Sequence, residues 1–228
     1  MKLIPIMTIQ DAADAPAAAE ALQAGGLPCA EVTLRTAAAP EAIRTIATRS
    51  DMLVGAGTVL SVDQAKQAVD CGATFLVAPG TNPAVVQWAA DHHVPITPGV
   101  ATPTDIDRAI SLGLDVLKFF PAHVYGGPKA IKALGAPYGS IRFIPAGGVD
   151  ADNLAEYLAM ANVLACGGSW MVRADLIADR RLDRITALTR HAVTIAAHAA
   201  APGRPGEHAA AGQKASKTTD GGGGSTPD

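Results

Sequence analysis

Eight short apolar segments, starting 20 to 26 residues apart, most constrain what this 228-residue chain can fold into. They are IPIMTI (4–9), CAEVTL (29–34), MLVGAG (52–57), TFLVAP (74–79), VPITPG (94–99), DVLKFF (115–120), IRFIPA (141–146) and NVLACG (162–167). Between them run Ala-rich amphipathic stretches with helical spacing, among them DAPAAAEALQAGG, SVDQAKQAVDCG, TPTDIDRAISLG and DADNLAEYLAMA. Several open on a Ser, Thr or Asp suited to capping a helix and several close on Gly, the usual stop. Near-continuous apolar strands alternating with helices predict a parallel sheet covered by helices. Eight such units favour closure into an α/β (β/α)8 TIM barrel over an open, doubly wound sheet. No GxGxxG follows the first strand, which argues against a dinucleotide site.

Composition agrees with one large domain. Hydrophobic residues make up 49% of the chain and aromatics only 4%, so Ala, Val, Leu and Ile must fill the core. The expected barrel spans 1–200. The segment 201–228 is rich in Gly, Pro, Ser, Thr and Ala, contains a linker-like GGGGS, and is expected to be disordered. A net charge of −3 without a basic stripe excludes a nucleic-acid partner. The apolar runs are too short for a membrane span, and MKLIPIMTIQDAADA turns polar too early for a secretory signal. Cys29, Cys71 and Cys166 match no metal or disulfide spacing, as expected of reduced thiols in a cytoplasmic protein.

Active sites of such barrels lie at the C-terminal ends of the strands. There Lys118 stands out, in the apolar run DVLKFFP of the sixth segment. A lysine in such a strand reaches solvent through its stem, pairs with a carboxylate, or acts as a nucleophile toward a carbonyl. Burial disfavours the ammonium form, which suits the last role. In the second segment, strand alternation puts Glu31, Thr33 and Arg35 on one face. Arg35 can grip a carboxylate in a forked geometry and Glu31 can relay protons, or the two can pair with each other. Thr58 directly follows the third segment, and Pro79 stands at the end of the fourth. Gly147 and Gly148 follow the seventh, with Gly167, Gly168 and Ser169 at the eighth; these two loops commonly hold phosphate in such barrels. His123 stands near the mouth, and His92 and His93 at a helix end. The six histidines give no pair spaced for a metal.

Together, EVTLRT (31–36), VGAGTVL (54–60), APG (78–80), PITPGVATPTD (95–105), LKFFPA (117–122), RFIPAGGV (142–149) and GGSWMV (167–172) make a specific set. In order and spacing the chain resembles, over about residues 3–195, the 2-keto-3-deoxy-6-phosphogluconate (KDPG) and 4-hydroxy-2-oxoglutarate aldolase family. The resemblance implies a class I aldolase with Lys118 as the Schiff-base lysine and Glu31 as an acid/base acting through a water. It implies Arg35 and Thr58 on the pyruvate carboxylate, Pro79 and Phe120 shaping the pocket, and Gly147, Gly148 and Ser169 on a phosphate. It further implies a cytoplasmic homotrimer that takes a small phosphorylated 2-keto acid and needs no metal or cofactor. Three departures stand out: no helix precedes the first strand, Ala146 replaces a threonine common before Gly-Gly, and His123-Val124-Tyr125 replace small or acidic residues. The competing expectations are an aldolase for the galactonate epimer and an inert trimeric scaffold on the same barrel. An intact set of Lys118, Glu31 and Arg35 argues against the scaffold.

Overall fold

The structure, a computed structural model, describes residues 2–49 and 51–200; the tail expected to be disordered lies outside them. Strands β1 (Leu3–Met7), β2 (Cys29–Thr33), β3 (Leu53–Gly57), β4 (Leu76–Val77) and β5 (Ile96–Thr97) alternate with helices α1 (Ala15–Ala24), α2 (Ala39–Arg49), α3 (Val62–Asp70) and α4 (Pro83–Asp91). After β6 (Gly99–Val100) come α5 (Pro103–Ser111), β7 (Val116–Phe119), α6 (Gly127–Gly135), β8 (Arg142–Pro145), α7 (Leu154–Leu158) and β9 (Cys166–Gly168). Helices α8 (Ala174–Ala178) and α9 (Leu182–Ala200) complete the described chain.

Every strand pairing is parallel. One arc runs β5-β4-β3-β2-β1-β9 and a second runs β6-β7-β8. Strands β5 and β6 are two halves of the fifth barrel strand. Pro98 stands between them and has no N–H to give the ladder. Isolated bridges Phe143–Val163 and Ala146–Gly167 join β8 to the last strand and close the ring. The architecture is thus the α/β (β/α)8 barrel expected of eight repeated units.

Helix starts follow their capping residues. Ser61 accepts from the Gln64 N–H at 3.2 Å and Asn82 from the Ala84 N–H at 3.1 Å. Thr102 and Asp105 form a reciprocal capping box at α5. Ala15, Ala18, Ala19, Ala21 and Leu22 form the buried face of α1, which packs against α9. Strand boundaries differ from expectation where proline or glycine intervenes. The segment 74–79 shortens to Leu76–Val77, ahead of Pro79. The last strand is shifted onto Cys166–Gly168, leaving Val163 as a single bridge.

Candidate active site

The register of β7 turns Lys118 into the barrel. Lys118 pairs across the ladder with Gly99 on one side and Ile144 on the other. It is 5% exposed, and Glu31 on β2 is 3% exposed. The Lys118 Nζ donates to Glu31 Oε1 at 3.5 Å and stands 5.0 Å from the Phe120 ring centroid. Each member of a buried pair of this kind depends on the other, since removing one leaves its partner stranded at a cost of about 3–5 kcal/mol. Both line an internal cavity of about 30 Å³, with Ile4, Phe75, Thr97 and Ile144. That volume suits a group the size of a water or a ketone oxygen.

Phe75 and Thr97 are additions to the expected set. Alternation would have found Thr97, which lies two residues before the Gly99 that pairs with Lys118. Above Glu31, Thr33 is fully buried and its hydroxyl meets that of Thr8 at 3.0 Å.

Arg35 departs from its expected position. Strand β2 ends at Thr33, so Arg35 sits in the turn beyond it and is exposed rather than aligned along the strand face. The Leu34 N–H still reaches Gly57 O at 2.8 Å, and the Thr36 hydroxyl donates to Ile9 O at 2.5 Å, so the turn is tied to its neighbours. Thr58 follows β3 with φ +61°, a left-handed conformation that a β-branched residue seldom adopts. Pro79 is half-buried beyond β4.

Two glycine-rich loops meet across the closing seam. The Ala146–Gly167 bridge sets the loop after β8 beside the loop after β9, where Ser169 is exposed. Gly147 and Gly148 hold φ at +86° and +83°. A Cβ on Gly147 would lie 3.1 Å from Phe120, and one on Gly148 2.3 Å from the His123 Cβ. The positive φ therefore favours glycine at both positions, and at Gly148 the His123 side chain also leaves no room for a Cβ. The chain after β7 is fixed to this turn, with Ala122 N–H on Ala146 O at 2.8 Å and His123 N–H on Gly147 O at 2.9 Å. The side chains of Arg35, Thr58 and Ser169 have no hydrogen bond among the described residues, so the mouth presents a guanidinium and two hydroxyls not engaged elsewhere in that part of the chain. No cluster of three His, Cys, Asp or Glu able to hold a metal occurs among the described residues.

Comparison with known proteins extends these observations. A family model described as KDPG and KHG aldolase matches residues 1–188. The chain is 49% identical over 196 residues to a 2-dehydro-3-deoxy-phosphogluconate aldolase of Treponema pallidum, covering 86% of this chain and 93% of that one. It is 40% identical over 192 residues to the KHG/KDPG aldolase of Escherichia coli K12, covering 84% and 90%. Among solved structures it resembles the KDPG aldolase of Legionella pneumophila with pyruvate captured at low pH as a covalent carbinolamine. The TM-score is 0.80 and the identity 37%, over 83% of this chain and 92% of that one.

Proposed function

The chain belongs to the KDPG and KHG aldolase family, and from that premise we propose that it cleaves KDPG to pyruvate and glyceraldehyde 3-phosphate through a Schiff base on Lys118. The observation that carries this reading is a buried amine 3.5 Å from a buried carboxylate on the wall of a small cavity inside the barrel. A metal-independent lyase needs such a pair: a nucleophile and a group that moves protons.

In the proposed sequence the neutral Lys118 amine adds to the C2 ketone. The carbinolamine loses water to give an iminium, which serves as the electron sink. Glu31, through a water, takes the proton of the C4 hydroxyl. The C3–C4 bond breaks, its electron pair passes into the iminium, and glyceraldehyde 3-phosphate leaves. The enamine is protonated at C3, and hydrolysis returns pyruvate and the free amine. The cavity beside Lys118 accommodates only the reacting end, so the rest of the substrate lies toward the mouth. There Arg35 and Thr58 take the carboxylate, Pro79 and Phe120 shape the pocket, and the Gly147–Gly148 turn with Ser169 takes the phosphate through backbone N–H groups and a hydroxyl.

A second substrate, 4-hydroxy-2-oxoglutarate, giving pyruvate and glyoxylate, belongs to the same proposal. Its support is the E. coli relative named for both activities. A homotrimer in the cytoplasm is also proposed, on the family resemblance; light scattering of the purified protein tests the assembly. The decisive experiment is borohydride reduction in the presence of pyruvate. A reduced pyruvyl adduct on the Lys118 peptide is expected. An unmodified Lys118, or an adduct on another lysine, overturns the Schiff-base assignment.

A further inference from the structure

We infer that Gly57 is a positioning residue: by having no side chain, it seats the Glu31 carboxylate against Lys118. Residues paired on parallel neighbouring strands point to the same face. Glu31 pairs with Gly55 and Thr33 with Gly57, so both glycines of β3 face the barrel axis beside Glu31. The inner wall contributed by β3 is therefore bare, and neighbouring side chains fill it. Below, the Phe75 ring covers Gly55, where a Cβ would lie 2.3 Å from its Cε2 and Cζ. Above, Glu31 covers Gly57. A Cβ on Gly57 would lie 2.1 Å from Glu31 Oε1 and 2.7 Å from both Cδ and Cγ.

No side chain tolerates such contacts, so any residue with a Cβ at position 57 must evict the carboxylate. Oε1, the atom met first, is also the one that accepts from Lys118 Nζ at 3.5 Å. Glu31 has three rotatable side-chain bonds and can swing away without moving β2. The fold then survives while the proton-moving group leaves the reacting centre, and a displacement of about 1 Å can cost on the order of 10²-fold in rate.

The inference deepens the aldolase reading and rests on it. The test compares KDPG cleavage by wild type, Gly57→Ala, Glu31→Gln and the double variant. Gly57→Ala is expected to lower kcat by about 10²-fold, with KM near the wild-type value and pyruvate still trapped on Lys118. The double variant is expected to be no slower than Glu31→Gln alone, because both changes remove one function. An unchanged kcat in Gly57→Ala, or losses that multiply in the double variant, overturns the inference and leaves the aldolase reading intact. A wild type that neither cleaves KDPG nor traps pyruvate overturns both. If Gly57→Ala does not fold, Gly57→Ala/Glu31→Ala decides: recovered folding supports the steric pairing, and no recovery overturns it.

Discussion

Thr58 holds φ at +61° immediately after β3, between Gly57, whose O accepts from the Leu34 N–H, and Val59, whose N–H donates to Val77 O. A conformation of this kind costs about 1–3 kcal/mol in a β-branched residue and survives only where the surroundings enforce it. Thr58→Gly relieves the strain and is expected to raise stability by about 1 kcal/mol, less the entropy glycine loses on folding. If the hydroxyl holds the substrate carboxylate, KM for KDPG rises about tenfold in the same variant, the equivalent of one hydrogen bond to a charged group. Thermal melts and steady-state kinetics read the two effects separately. At this scale the sequence was informative wherever a charge broke an apolar run. Lys118 and Glu31 stand out for that reason, and they are in contact. Arg35 misled in position because alternation continues only while the strand does, and β2 stops at Thr33. Gly57, in the VGAGTVL run, could be read only as a glycine that permits close approach; that the Glu31 side chain is what approaches is visible only once Glu31 is seen lying across it.

Among the helices, α1 and α9 pack closely because Gly25 lets them: a Cβ there would lie 2.4 Å from that of Thr189. Thr189 is fully buried and its hydroxyl has no hydrogen-bond partner among the described residues. A buried hydroxyl left unsatisfied costs about 1–3 kcal/mol. Thr189→Val keeps the shape and is expected to raise the denaturation midpoint, with a gain of about 1 kcal/mol by urea titration. A loss of stability would mean that the hydroxyl is satisfied in solution. Element identity was legible from period and caps: the Thr102 that opens TPTDIDRAISLG caps α5, and the structure adds a reciprocal bond from Asp105. Strand ends were less so, because side-chain pattern does not report where N–H donors run out. Pro98 divides one barrel strand into β5 and β6, and the Gly-rich β9 begins later than its apolar pattern suggests.

Closure of the whole barrel places two buried thiols on either side of β1. Cys166 pairs with Leu3, and the Cys29 thiol donates to Leu3 O at 3.5 Å. Burial pushes the Cys29 thiol up to about 11 from 9.0, and Cys166 up to about 12. A raised thiol keeps its proton in the folded state after the unfolded chain has lost it. The corresponding stability is therefore full below pH 9.0 and is lost as pH rises toward 11. Melting temperature is expected to fall over that window, and Cys29→Ala/Cys166→Ala, though less stable at neutral pH, is expected to fall more gently. The global architecture was the most legible level, since eight repeated units leave few ways to cover every strand. The closing seam was not, because it depends on two isolated bridges rather than a continuous ladder. Beside that seam the Trp170 indole lies against Gly168, where a Cβ would come within 3 Å of its ring, and directly follows Ser169. The chain has one other tryptophan, Trp88, stacked on His92 at 4.3 Å on the barrel flank. The protein thus carries its own optical probe: with Trp88→Phe, a single tryptophan sits at the loop proposed to take the phosphate, and its fluorescence can follow occupancy in real time without a label.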